Sequence, residues 1–131
     1  VRELLAVLGG GVVGTGLRLL LDVLVPHGDD GFPVSTLVVN TVGSFILGFL
    51  VARVWPRSPA WLRAGLGAGL LGSFTTFSAL AVSLVSLTAA GGWMPALLYL
   101  VATLILGLAA AWSGLRLGRP HGPVAIDAVD E

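Results

Sequence analysis

Four runs of apolar residues, at about 4–25, 34–52, 64–89 and 95–117, leave this chain few choices of fold. Each is close to the roughly 20 helical residues needed to cross a hydrocarbon core of about 30 Å. Of the 131 residues, 56% are hydrophobic and 11% charged. A soluble domain carries about 25% charged residues, and its interior could not hide this much apolar surface. The sequence therefore predicts an all-α membrane protein with four transmembrane helices in one domain. Residues 118–131, with Gly118, Pro120, Gly122 and Pro123 ahead of acids, read as a short disordered tail. The first run has one Arg ahead of it and no clear small-x-small site, so it reads as a span rather than a signal peptide.

Charge placement predicts an orientation. With four spans, both termini and the second connection lie on one side, which holds Arg2, Arg53, Arg57, Arg63, Arg116 and Arg119. The first and third connections hold no Arg, and the first holds Asp29 and Asp30. The positive-inside rule puts the Arg-rich side, and both termini, in the cytoplasm of a cell (plasma) membrane protein. Trp55, Trp61 and Trp112 fall near that interface and Trp93 near the other. Lys and Cys are absent and the formal net charge is zero, which excludes nucleic-acid binding through a basic face, disulfides and thiolate metal sites.

Polar residues inside the spans are the candidates for function. Residues 69–80, Gly-Leu-Leu-Gly-Ser-Phe-Thr-Thr-Phe-Ser-Ala-Leu, place four hydroxyls within six positions of an apolar run. Such a stretch must face protein or a polar cavity, because lipid cannot satisfy backbone groups. It predicts a helix break, with free carbonyls suited to a cation and a half-helix N-terminus suited to an anion. In the second span Thr36, Asn40, Ser44 and Gly48 recur every four residues. That face reads either as helix packing or as a pore wall with the Asn40 amide as donor. Tyr99, Thr103 and Gly107 repeat the spacing in the fourth span, with Tyr99 either an interface anchor or a pore-liner. Gly10 and Gly14 have helix-packing spacing. Arg18 lies one turn before Asp22 and reads as a local ion pair or a vestibule charge. His27 and His121 have no metal-ligand partner in the sequence and are given no role.

Three segments together resemble one known family. Residues 10–18 (Gly-Gly-Val-Val-Gly-Thr-Gly-Leu-Arg), 36–45 (Thr-Leu-Val-Val-Asn-Thr-Val-Gly-Ser-Phe) and 69–78 resemble, in order and spacing, motifs of the Fluc (CrcB) fluoride channels. The resemblance spans residues 4–117. It implies an antiparallel, dual-topology-type dimer with two fluoride pores along the subunit interface and a third helix broken at mid-membrane. It implies a structural sodium ion at the dimer centre, held by the backbone carbonyls of Gly72 and Thr75. It places the fluoride path on Asn40, Phe77, Tyr99 and Thr103 and the family's first-helix Arg, a candidate vestibule charge, on Arg18, and the hydroxyls of Thr76 and Ser78 are further donors to that path. Fluoride is strongly hydrated, so a pore must replace its water with fixed donors and still release it. The implied activity is passive efflux that lowers cytoplasmic fluoride. No nucleophile–base pair is present, so the chain does not read as an enzyme, and no organic cofactor is implied.

Two positions depart from the family pattern. Leu80 stands where a second Phe is usual, and Ser83 where a polar or acidic residue is usual. With the strong Arg asymmetry, Leu80 suggests one half of a heterodimer with an oppositely oriented paralogue. Two alternatives stand beside the channel reading: a non-conducting or half-conducting partner subunit, and a small four-helix multidrug exporter. The exporter needs a membrane-embedded carboxylate, for which only Glu3 and Asp22 are available.

Overall fold

The computed structural model describes residues 1–24 and 32–119. Asp29, Asp30, His27, His121 and most of the expected tail lie outside the described residues. Helix α1 is Arg2–Leu24, and α2 begins as Val34–Phe49. A π-helical turn, Leu50–Val54, and a 3-10 turn, Trp55–Arg57, carry α2 on without a gap. Helix α3 covers residues 60–74, of which Gly65–Leu71 is π-helical. Helix α4 is Phe77–Ala89 and α5 is Trp93–Gly118. Grouped by length and hydropathy, these make four helices able to cross a membrane, spanning Arg2–Leu24, Val34–Arg57, Ala60–Ala89 and Trp93–Gly118.

The second connection is far shorter than the expected 53–63: only residues 58 and 59 interrupt the helices. Proline explains the difference. Pro56 sits in the 3-10 turn, and Pro59 caps α3 with an extended ψ of 158°. Both are helix-end positions, where a missing N–H costs nothing. At the far end of α4, Gly91 takes φ +77°. The Gly92 N–H then bonds the Leu87 carbonyl at 2.9 Å, and the Gly91 N–H bonds that of Thr88 at 3.0 Å. This Schellman closure needs a residue free to adopt the left-handed conformation.

The helices associate in two pairs, α1 with α3 and α2 with α5, and glycine makes both pairings possible. A Cβ on Gly10 would strike the Gly65 carbonyl oxygen, and one on Gly14 that of Leu70. On the other pair, a Cβ on Gly48 would strike the Ala111 carbonyl, and one on Gly114 that of Phe45. Backbones thus touch directly at both seams. In lipid, where apolar burial gives no drive for helix association, such close packing is the main attraction. Large apolar side chains of α1 and α5 instead point outward, Val12 and Leu108 among them.

These seams predict a sharp contrast among glycines of α1. Gly14→Ala should lower stability by about 1–3 kcal/mol, the usual cost of overpacking. Gly16→Ala, with nothing within 4 Å of its Cβ, should be neutral or slightly stabilising. Unfolding midpoints in detergent, followed by circular dichroism, check the contrast.

Candidate functional site

The helical run 60–89 is interrupted at two residues. Thr75 has φ −80° and ψ 156°, and Thr76 has φ −151° and ψ 124°, both extended. Asn40, on α2, meets the interruption from the side with both ends of its amide. Its Nδ2 donates to the Thr76 carbonyl at 3.0 Å, and its Oδ1 accepts from the Thr76 N–H at 2.9 Å. One side chain therefore satisfies both polar groups of an extended residue, as a neighbouring strand would. Gly43, one turn further along α2, leaves the room: a Cβ there would strike Thr75 Cγ2.

This arrangement redirects the backbone hydrogen bonds around it. In a continuous helix the Thr76 N–H would bond the Gly72 carbonyl; here it goes to Asn40. The Ala79 N–H would bond the Thr75 carbonyl; here it goes to the Thr76 hydroxyl at 3.2 Å, an N-cap. Gly72 and Thr75 thus have carbonyls whose regular helical donors are taken by others. The Thr75 hydroxyl and N–H both bond the Leu71 carbonyl at 2.9 Å, closing the end of α3. Beyond the interruption, the Phe77 and Ser78 N–H groups sit in the first turn of α4 with no acceptor inside that helix. The hydroxyls of Thr76 and Ser78 share a 3.0 Å hydrogen bond.

An open groove of about 350 Å³ lies over this region. Asn40, Gly72, Thr75, Thr76 and Phe77 line it, together with Gly43, Ser44 and Leu80. Phe77 is 80% exposed, whereas Leu80 is 7% exposed and packed into the wall. The fold therefore brings Asn40, Gly72, Thr75, Thr76 and Phe77 into one place, with Ser78 bonded to Thr76 at its edge. Tyr99, Thr103 and Arg18 lie outside the groove.

Tyr99 is fully buried, which removes the interface-anchor reading. Its ring meets Phe32 edge-on, centroids 5.2 Å apart. Hydroxyls of Ser83, Thr36 and Thr103 lie around its own, yet the Tyr99 hydroxyl has no direct hydrogen-bond partner among the described residues. Thr103 donates to the Tyr99 carbonyl at 2.8 Å. Arg18 is half-buried, with its Nε 3.8 Å from Asp22 Oδ2, and its Nη1 is buried without a partner among the described residues. The sequence reading did not single out Gly43 or Phe32. Gly43 was discoverable, since it lies three residues after Asn40 and hence on the same helical face.

The four-residue stripe on α2 serves two purposes at once. Gly48 packs on α5, and Asn40 holds the interruption. Thr36 joins the hydroxyls around Tyr99, and the Ser44 hydroxyl lies 3.7 Å from where a Cβ of Gly107 would be.

Replacing Asn40 with Ala leaves both polar groups of Thr76 without that partner inside an apolar span. Two part-buried hydrogen bonds at about 1 kcal/mol each put the loss at about 2 kcal/mol. The loss should be local: hydrogen exchange at the Thr76 amide should accelerate far more than at amides of the α2–α5 seam.

Comparison with known proteins places the chain in a family. Residues 5–115 match the family described as CrcB-like protein, Camphor Resistance (CrcB). The chain is 38% identical over 120 residues to fluoride-specific ion channel FluC 2 of Geobacillus kaustophilus, covering 89% of this chain and 93% of the relative. It is 41% identical over 113 residues to FluC of Agrobacterium fabrum, covering 84% and 90%. Identity to FluC 2 of Halalkalibacterium halodurans is also 41%, over 118 residues, covering 89% and 86%.

Proposed function

The chain belongs to the CrcB-like family of fluoride-specific ion channels, and we propose that it is a channel subunit through which fluoride leaves the cytoplasm passively. The observation that carries this reading is the Thr75–Thr76 interruption held by Asn40. It offers anion-favouring N–H groups on one side and released carbonyls on the other, without an ionised group. A proton-coupled exporter would need a titratable carboxylate there, and none lines the groove.

The fluoride path in this reading uses Asn40, Thr76, Phe77 and Ser78 at the groove and continues beyond it past Tyr99 and Thr103. Asn40 has a second amide hydrogen beyond the one given to Thr76. Phe77 would turn its ring edge, which carries positive partial charge, toward the anion. Thr76 and Ser78 exchange one hydrogen bond with each other, so only one of the two hydroxyl protons is free to point elsewhere. Arg18 would draw anions into the vestibule. In this reading the third helix is broken at mid-membrane and both termini are cytoplasmic in the plasma membrane.

The residues also fit a structural sodium ion. A hard cation takes oxygen ligands, and Gly72 and Thr75 line the groove, their carbonyls having lost their helical donors. Bound there, sodium would supply positive charge that ties the two ends of the interruption together. Two carbonyls make only part of a coordination shell, which suits an antiparallel dimer in which a second chain supplies the rest. Leu80, buried in the groove wall, and the one-sided Arg distribution favour an oppositely oriented paralogue as that second chain. A non-conducting or half-conducting partner subunit is the second reading, and it rests on the same Leu80.

Fluoride release from liposomes, read with a fluoride electrode under valinomycin, tests the proposal. Co-reconstituted with its paralogue, the chain should release fluoride down its gradient, independently of a proton gradient. Phe77→Ala should lower release at least tenfold, about 1.4 kcal/mol or more. Unchanged release in Phe77→Ala would support the partner-subunit reading instead. Strong release from the lone chain would overturn the requirement for a paralogue.

A further inference from the structure

A second groove runs on the other face of α3, away from the interruption. Its mouth is formed by Arg2, Leu5, Ala6 and Trp61. It continues between α1 and α3 over Gly9, Val13, Leu62 and Leu66. Trp61 and Ala6 line both parts, which adjoin along α1. Its walls are apolar below Arg2, and Gly9 leaves open space, with nothing within 4 Å of a would-be Cβ. From Arg2 to Val13 is eleven residues, or about 16 Å along a helix at 1.5 Å each. That is about half of a hydrocarbon core of roughly 30 Å, the depth of one leaflet.

Charge identifies the occupant. Arg2 and Trp61 share the mouth, an arginine and an indole, the residue types that favour the headgroup level of a bilayer. Arg53, Arg57, Arg63, Arg116 and Arg119 lie at the same end of the bundle, and among the described residues the one ion pair is Arg18–Asp22, elsewhere on α1. Arg116 stacks on Trp112, 4.4 Å from guanidinium carbon to ring centroid. Glu3, beside the mouth, is the single described acid at that end. Among the described residues, six arginines against one acid form a cationic rim over the apolar slot. We propose that this groove seats one anionic phospholipid, its phosphate on Arg2 beside Trp61 and one acyl chain along α1 and α3.

Native mass spectrometry of the full chain, incubated with equal amounts of phosphatidylglycerol and phosphatidylcholine bearing identical chains, tests this. The wild type should retain phosphatidylglycerol about fivefold more, the effect of one arginine near an anionic headgroup. Arg2→Gln should bring the two lipids to parity, while Arg116→Gln should leave the preference in place. Gly9→Leu, which enters open space and should keep full helicity by circular dichroism, should lower retention of both lipids. Equal retention of the two lipids by the wild type would overturn the proposal, as would an Arg2→Gln variant with undiminished preference. So would a Gly9→Leu variant that keeps its lipid and changes its oligomeric mass, since the groove would then seat another copy of the chain.

Discussion

The two hydrogen bonds between Asn40 and Thr76 hold in place what the rest of this structure surrounds. An extended residue inside an apolar span has a donor and an acceptor that lipid cannot satisfy. One amide side chain, approaching from α2, meets both. The consequence spreads along the backbone. Because the Thr76 N–H is held by Asn40, the Gly72 carbonyl loses its helical donor. Because Thr76 is then free to cap α4, the Ala79 N–H turns to its hydroxyl, and the Thr75 carbonyl loses its donor as well. A polar opening in the span is thus produced by neutral groups alone, with no charge brought to membrane depth and none of the several kcal/mol that a buried ion costs.

That contact depends on how the helices are seated. Helix α2 packs mainly on α5, and it reaches the interruption through a narrow strip that includes Asn40 and Gly43. Gly48, Gly114 and Gly118 draw α2 and α5 together until backbones touch. On the opposite side, Gly10 and Gly14 do the same for α1 and α3. Each seam fixes one side of the Asn40 contact, so a Cβ at either seam moves one partner of a hydrogen bond that has little tolerance in distance. The π-helical segment Gly65–Leu71 lies within the α1 seam, and a single α-helical turn, Gly72–Phe74, separates it from the interruption. Packing and the polar opening are therefore one mechanical unit.

Much of this was legible in the residues. Four spans followed from apolar run length, and the seam role of Gly10 and Gly14 followed from their four-residue spacing. The polar candidates Asn40, Thr75 and Thr76 followed from the cost of hydroxyls and amides in lipid, and Phe77 from the charge of its ring edge and the family resemblance. What those residues bond to was not legible. Asn40 and Thr76 are 36 positions apart, and periodicity says which helical face a residue occupies but not what the face meets. The amide that reads as a donor to an anion is engaged, in part, with backbone. Tyr99 shows the same limit, since its place near a span end suits an interface anchor, and only the packing of Phe32 and the α2 and α4 hydroxyls buries it. The short 58–59 connection was obscured because Pro56 and Pro59 punctuate a loop and a helix end equally well.

The two faces of α3 show why the span carries so much glycine. One face closes on α1, where Gly65 and Gly69 accept a neighbouring backbone. The other opens toward the groove, which Gly67 and Gly72 help to line, with the Trp55 ring against Gly67. Side chains on both faces would force a choice between packing and opening. A helix without them would ordinarily be weak, since each interior glycine costs about 1 kcal/mol relative to alanine. In lipid that weakness is offset, because an unfolded backbone has no water to turn to and must keep its internal hydrogen bonds. The membrane thus permits a glycine-rich helix that stays helical up to Phe74 and then gives way at the two residues where a neighbouring amide stands ready to replace the lost bonds.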